Sequence, residues 1–274
     1  MTAPRVAVVL GGGGAKAAAH LGAAVALADA GIVPTHWIGT SMGSVVAVAM
    51  AGGADPAALL AAFGKVRRHE VLRRIPFALL RGIWAPAIFR EAAFRRTIER
   101  LVTPRRFADL RSACTITAVE RDTGRVVAFG SNGEDAPVLD ALMGSCALPP
   151  WFRPAMVNGR AFCDGGIRTP MPLDLAEHLP VDLVIAIDVG PGFDEIGTPV
   201  LRPPPLLAAA DTAIGWLMAG TTALMREQWN LKRNLPALLW VRPVNDRGAT
   251  FALDRIAEYG RAGERAMRTA LQEL

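Results

Sequence analysis

Residues Gly39-Thr40-Ser41-Met42-Gly43 set a serine in GxSxG spacing. A serine becomes a usable nucleophile when a tight strand-to-helix turn lifts its hydroxyl clear of the backbone, and such a turn needs small flanking residues because larger ones clash. The helix that follows directs its unpaired amides and its positive end at the same point. The string alone also fits a plain turn. Here an apolar run precedes it and a helical pattern follows it, which is the setting a nucleophile requires, with Gly39, Met42 and Gly43 completing the elbow around Ser41.

A second glycine-rich element, Gly11-Gly12-Gly13-Gly14-Ala15-Lys16, lies between an apolar run and an alanine-rich helical pattern. Four consecutive glycines are costly in backbone entropy, so they mark a close approach or a set of amides aimed at an anion. A dinucleotide fingerprint wants a third glycine near position 17 and an acidic residue ending the second strand, and the chain has Ala17 and Thr35-His36-Trp37-Ile38. A phosphate-binding P-loop wants glycine before the lysine and Ser or Thr after it, where Ala15 and Ala17 stand. A flexible loop does not explain the helix N-terminus. An oxyanion site working with Ser41 explains both features.

The base is less obvious. The four histidines are His20, His36, His69 and His178. A Ser-Asp-His triad in chain order needs a late histidine; His178 reads as the end of a helix and His20 as a residue packed within the first one. Asp164 is the alternative: it follows an apolar hairpin strand and precedes Gly165 and Gly166, which allow close approach to another loop. A carboxylate titrates near 4, so burial must raise its pKa before it can accept a serine proton. Asp-Gly is also a common turn signal, and that reading stays open for Asp164.

Local patterns supply the elements that would position these groups. Strands are expected at 5–10, 35–38, 183–189 and 237–241, hairpins at 114–129 and 155–162 with the second turning at Asn158-Gly159, and helices at 15–30, 44–51, 137–146, from Pro205 toward Asn230, and 253–274. Asp55-Pro56 starts a further helix. Two strand–glycine–helix units in the first fifty residues indicate a parallel α/β sheet. No linker divides the chain, so residues 1–274 are expected to form one domain with a basic helical insertion around 55–110.

Together the glycine-rich loop, GTSMG and DGG, in that order, resemble the patatin-like phospholipase family. The resemblance runs from residue 5 to about 190 and includes MGSCALPPWFRPAMVNGRAFCDGG and MPLDLAEHLPVDLVIAIDVG. It implies a three-layer α/β/α fold with a mainly parallel central sheet, and a Ser–Asp dyad with Ser41 as nucleophile and Asp164 as base. It further implies an oxyanion hole from the amides of Gly12, Gly13 and Gly14. Lys16 sits at the family's basic position and is read as loop support, alongside Gly165 and Gly166; Ala17 departs from the family's usual glycine. The implied activity is hydrolysis of lipid acyl esters through an acyl-enzyme. Acyl transfer, thioester hydrolysis or an inactive lipid-binding module are the alternatives.

Composition bounds the rest. The 274 residues are 51% hydrophobic and 20% charged, which fits a globular chain and excludes long disordered tails. Three cysteines without CxxC spacing give neither a disulfide framework nor a zinc site, so no metal and no cofactor is expected, and a reducing, cytoplasmic setting fits. The net charge of +5 is uneven: residues 65–111 hold 13 basic and 4 acidic side chains. Nucleic-acid motifs are absent. The stretch KVRRHEVLRRIPFALLRGIW alternates basic and apolar residues, as an element docking peripherally on an anionic membrane would; otherwise its apolar side caps the active-site cleft. Residues 206–225 are apolar but carry Asp211 and two glycines, so a buried or partly interfacial helix is expected there rather than a spanning one.

Overall fold

The computed structural model describes residues 4–76, 84–197, 204–247 and 249–274. Its centre is an eight-stranded sheet whose path is β5-β6-β3-β2-β1-β7-β9, with β4 paired to β3 beside that path. The strands are β1 (Val6–Leu10), β2 (His36–Thr40), β3 (Ala113–Glu120), β4 (Val126–Gly130), β5 (Ala155–Val157), β6 (Arg160–Asp164), β7 (Leu183–Ile187) and β9 (Ala237–Val241). A separate parallel pair joins β8 (Ile196–Gly197) to β10 (Asp246–Arg247). In the main sheet β3, β2, β1, β7 and β9 run parallel, whereas β4 and β6 pair antiparallel with β3, and β5 with β6. The sheet is therefore mainly parallel, with an antiparallel flank made by the two hairpins.

Both faces of the central strands are covered, which is why β1 and β7 read as continuous apolar runs instead of alternating ones. Val6, Val8 and Leu10 enter one core and Ala7 and Val9 the other. The first core holds α1 (Ala18–Asp29), α2 (Met42–Ala51) and α8 (Ile256–Gln272). The second takes Leu173, Ala176 and Trp229, the last from α7 (Pro205–Leu231). This is the three-layer arrangement. Helices α1 and α8 touch backbone to backbone: a Cβ on Gly22 would strike the Gly260 carbonyl, and one on Gly263 the Ala19 carbonyl.

Between β2 and β3 the chain forms α3 (Pro56–Gly64), a single turn α4 (Arg68–Val71) and α5 (Glu91–Leu101). Asp55 caps α3 by accepting the Ala58 amide at 2.6 Å, as the Asp-Pro signal predicts. Arginines of the basic block are partly neutralised at the surface: Arg95 pairs with Asp140, Arg100 with Glu70 and Arg105 with Glu99. The next helix, α6 (Val138–Ser145), lies against β3 and β6.

Two sequence expectations shift in detail. Strand β2 continues through Gly39 to Thr40 and α2 begins at Met42, so Ser41 alone makes the corner. Helix α7 is buried at only Met218, Ala219, Thr222 and Trp229, and its outer side faces solvent. No helix among the described residues is long and apolar enough to cross a membrane. The cysteines Cys114, Cys146 and Cys163 are all free and buried.

Candidate active site

Ser41 sits at the corner between β2 and α2 with φ +52°, a left-handed backbone rarely adopted by a residue with a side chain. The corner closes only around small residues. A Cβ on Gly39 would lie 2.6 Å from the Gly43 carbonyl, and a Cβ on Gly43 would lie 2.6 Å from the Gly11 carbonyl and run into that of Leu10. Two hydroxyls fix the strained residue: Ser145 Oγ accepts the Ser41 amide at 2.9 Å, and Ser44 Oγ donates to the Ser41 carbonyl at 2.5 Å. Ser145 was not singled out by the sequence, where it is one more serine at the end of an expected helix.

The Ser41 hydroxyl donates to Asp164 Oδ2 at 2.6 Å. Asp164 ends β6, paired in register with Ala118 of β3, and its other oxygen accepts the Gly166 amide at 2.8 Å. Gly165 must be glycine here, since a Cβ would collide with the Thr117 carbonyl and Thr40 Oγ1. Asp164 is 2% exposed, and burial pushes its carboxyl up to about 7 against the opposing pull of the Ser41 and Gly166 hydrogen bonds. A carboxylate so placed can exchange a proton near neutral pH.

No histidine among the described residues hydrogen-bonds Ser41. His20 is buried in α1; burial lowers its pKa to about 4, so the ring is neutral, and its Nε2–H donates to the Gly11 carbonyl at 2.8 Å. Its part is to brace the glycine loop. His69 and His178 lie exposed.

The glycine loop runs from β1 into a 3-10 turn, Gly14–Ala17, ahead of α1. A Cβ on Gly12 would stand 3.2 Å from Ser41 Cβ, so loop and elbow touch. The amide of Gly12 is already donated to the Pro170 carbonyl at 3.1 Å, as Gly11 donates to Ile187. That narrows the expected donor set of three: Gly13 and Gly14 are the amides with no backbone acceptor among the described residues. Gly13 is pressed against Val189, and Gly14 (φ +58°) against the backbone of Thr250.

Lys16 is 3% exposed and reaches across the fold, donating to Glu195 Oε1 at 3.1 Å, to the Asp246 carbonyl at 3.0 Å and to the Gly190 carbonyl at 3.4 Å. Desolvation lowers its pKa, with Glu195 pulling the other way. Asp188 and Arg242 anchor the same segment: Arg242 donates to Asp188 at 2.7 Å and to both oxygens of Asp194. Neither Glu195 nor Arg242 was legible as a site residue, because each acts through a partner remote in sequence.

Ser41, Asp164 and the glycine loop lie on a cavity of about 460 Å³. Its walls are mostly apolar, including Phe63, Phe89, Phe94, Trp151 and Phe251. Phe89 stacks on Trp151 with centroids 5.8 Å apart, and Phe251 meets Trp151 edge-on at 5.1 Å. The basic insertion supplies much of this wall. Within the stretch read as a membrane element, Val66 and Val71 line the cavity and Leu72 is buried, while the exposed Arg68 and Arg74 stand where the cavity meets solvent; residues 77–83 lie outside the described residues. Val66 and Val71 thus turn to the cleft, whereas Trp84 at the end of the stretch is 83% exposed. Asp211 of α7 also lines the cavity, accepting from Trp151 Nε1 at 3.4 Å, and burial raises its carboxyl. No cluster of potential metal ligands is found among the described residues.

The mainly parallel sheet thus brings the Ser41 corner, Asp164 and the glycine loop together on one apolar cavity. Residues 8–177 match the patatin-like phospholipase family. This chain belongs to that family. It is 32% identical over 198 residues to an uncharacterized NTE family protein of Mycobacterium tuberculosis, covering 70% of this chain and 52% of that protein. It is 31% identical over 196 residues to human patatin-like phospholipase domain-containing protein 6, covering 69% of this chain and 14% of the relative. The chain thus spans about half the length of the mycobacterial relative. Among solved structures, VipD from Legionella pneumophila superposes with a TM-score of 0.53 at 14% identity over 98% of this chain and 67% of that one, a likeness of fold.

Proposed function

We propose that this chain hydrolyses carboxylic ester bonds of lipids by a Ser41–Asp164 dyad. The observation that carries the reading is the 2.6 Å hydrogen bond from Ser41 Oγ to Asp164 Oδ2 at the end of an apolar cavity. Family membership supports the substrate class.

In this mechanism Ser41 Oγ attacks the ester carbonyl carbon as its proton passes to Asp164 Oδ2. The carbonyl oxygen becomes an oxyanion and accepts from the Gly13 and Gly14 amides; donors of this kind are worth about 3–4 kcal/mol each where measured. Collapse expels the alcohol, which leaves with the proton held by Asp164. Water then attacks the acyl-serine, Asp164 takes its proton, and the second collapse returns a proton to Ser41 and frees the fatty acid. Asp164 is suited to both transfers because burial raises its pKa to about 7. The apolar walls hold the acyl chain and exclude bulk water.

The test is labelling with a fluorophosphonate and turnover of a short p-nitrophenyl ester. The parent protein labels at Ser41 and turns over; Ser41→Ala does neither, and Asp164→Asn loses turnover while keeping its fold by circular dichroism. Undiminished turnover by Ser41→Ala would refute the mechanism.

A further inference from the structure

Helix α7 presents an apolar outer side that no other described residue covers. Leu206 is 72% exposed, Leu217 71%, Leu224 59% and Trp216 57%. Leu206, Ala213, Leu217, Gly220 and Leu224 recur at intervals of seven, four, three and four, which brings them onto one stripe of an α-helix. The stripe extends for roughly 27 Å at 1.5 Å per residue. Through these turns the helix carries a single charged side chain, Asp211, and that one faces inward to Trp151. A contiguous uncharged apolar face of this length is unusual on a protein surface and marks a docking site.

Its position says what docks. The inner side of α7 lines the catalytic cavity, and residues that are both exposed and cavity-lining mark the mouth: Arg68, Arg74, Pro204, Thr212, Trp216 and Arg247. The mouth thus joins an apolar helix side to a group of arginines, in a chain whose 65–111 segment holds 13 basic and 4 acidic residues. A bilayer with anionic headgroups complements both, taking leucine and tryptophan side chains into its upper acyl region and pairing its phosphates with arginine. A protein partner seated on the same face would close the mouth, whereas a membrane delivers lipid to it.

We infer that the outer side of α7 lies on an anionic lipid surface, with the cavity mouth turned to the membrane; this rests on the lipid-hydrolase reading for its substrate argument. The helix does not cross the bilayer, in keeping with the lack of any helix long and apolar enough to do so among the described residues.

The experiment uses Leu217→Glu/Leu224→Glu, since neither leucine lines the cavity. Binding is measured by co-sedimentation with vesicles of phosphatidylcholine alone or mixed with phosphatidylglycerol, on a Ser41→Ala background so that hydrolysis plays no part. The expected result is preferential partition to the mixed vesicles, weakened at least about tenfold by the two glutamates. With Ser41 intact, the same pair of substitutions leaves turnover of a soluble short-chain ester within about twofold of the parent. Unchanged partition, or equal partition to both vesicle types, overturns the assignment. So does sedimentation showing a dimer that the glutamates dissociate, because the face would then join two copies. Absence of soluble-ester turnover in the parent counts against the hydrolase reading alone, since the vesicle arm does not depend on it.

Discussion

Ser145 Oγ accepts the backbone amide of Ser41 at 2.9 Å, tying α6 to the Ser41 corner across 104 residues. Ser41 is held at φ +52°, a conformation costing on the order of 1–2 kcal/mol that neighbouring contacts must sustain. Ser145 is fully buried, so Ser145→Ala leaves the Ser41 amide without that acceptor and without water to replace it. The expected cost is about 1–3 kcal/mol, seen as a fall of several degrees in thermal unfolding. Ester turnover falls with it through kcat, with KM little changed. Melting and kinetics indistinguishable from the parent would mean that the corner is held by Ser44 and Asp164 alone.

The burial of Asp164 has two pH consequences. Only the ionised carboxylate can take the Ser41 proton, so turnover of a soluble ester should rise with pH and reach half its plateau near 7, where Asp164 titrates. Stability moves the other way. With the folded pKa raised from 3.8 to about 7, the native state holds a proton that the unfolded chain has lost, and stability present below pH 4 is lost as pH rises through 7. Asp164→Asn removes this dependence and is expected to be more stable than the parent at pH 8, by up to roughly 4 kcal/mol, with the gap shrinking toward pH 4. Urea titrations at the two pH values measure it; a gap that widens on acidification would contradict the buried-carboxylate account.

The parts of the fold that were legible in the sequence are those written in local chemistry. Glycine breaks, apolar runs and the Asp55-Pro56 cap announce the units that carry Ser41 and the glycine loop, because turn and cap preferences act within a few residues. The Ser41–Asp164 pairing came through motif order and not from periodicity, which says nothing of a contact between residues 41 and 164. Ser145 and Glu195 went unseen for the same reason: an ordinary serine and an ordinary glutamate acquire roles only when the sheet brings them to partners 104 and 179 residues away. The three glycine amides looked equivalent in sequence, and only the Pro170 carbonyl distinguishes Gly12. Helix α7 was expected to be buried or partly interfacial, and which of its sides faces outward was not legible because apolar residues occupy both, which leaves no polar stripe to reveal the outward one.

The glycine loop admits a direct contrast. A Cβ at Gly13 would lie 2.5 Å from the Val189 carbonyl, so Gly13→Ala must displace the loop or Val189. With Gly13 proposed as an oxyanion donor, kcat should fall by about 10²–10³. Gly64, at the end of α3, has nothing within 4 Å of such a Cβ, and Gly64→Ala should keep full turnover and gain up to about 1 kcal/mol through lost unfolded-state entropy. Equal turnover from the two variants would dissociate Gly13 from the reaction.

Lys16 and Glu195 form an ion pair whose side chains are 4% and 8% exposed. Removing one partner leaves an uncompensated charge in a site that water reaches poorly, a change that costs about 3–5 kcal/mol in buried pairs. Lys16→Met and Glu195→Gln should therefore each destabilise strongly. The Glu195 change carries an added effect, because its Oε2 also lies 3.8 Å from Arg247 Nε. Since Lys16 joins the end of the glycine loop to the 190–195 and 246 segments, both variants should also lower kcat on a soluble ester while the loop is loosened. The double variant Lys16→Met/Glu195→Gln removes both charges of the pair, so its destabilisation should fall well short of the sum of the single changes, with a coupling of about 1–3 kcal/mol. Unfolding in urea of the four proteins measures that coupling. Simple additivity would show that the two charges act independently and that the loop is held by the carbonyls of Gly190 and Asp246 instead.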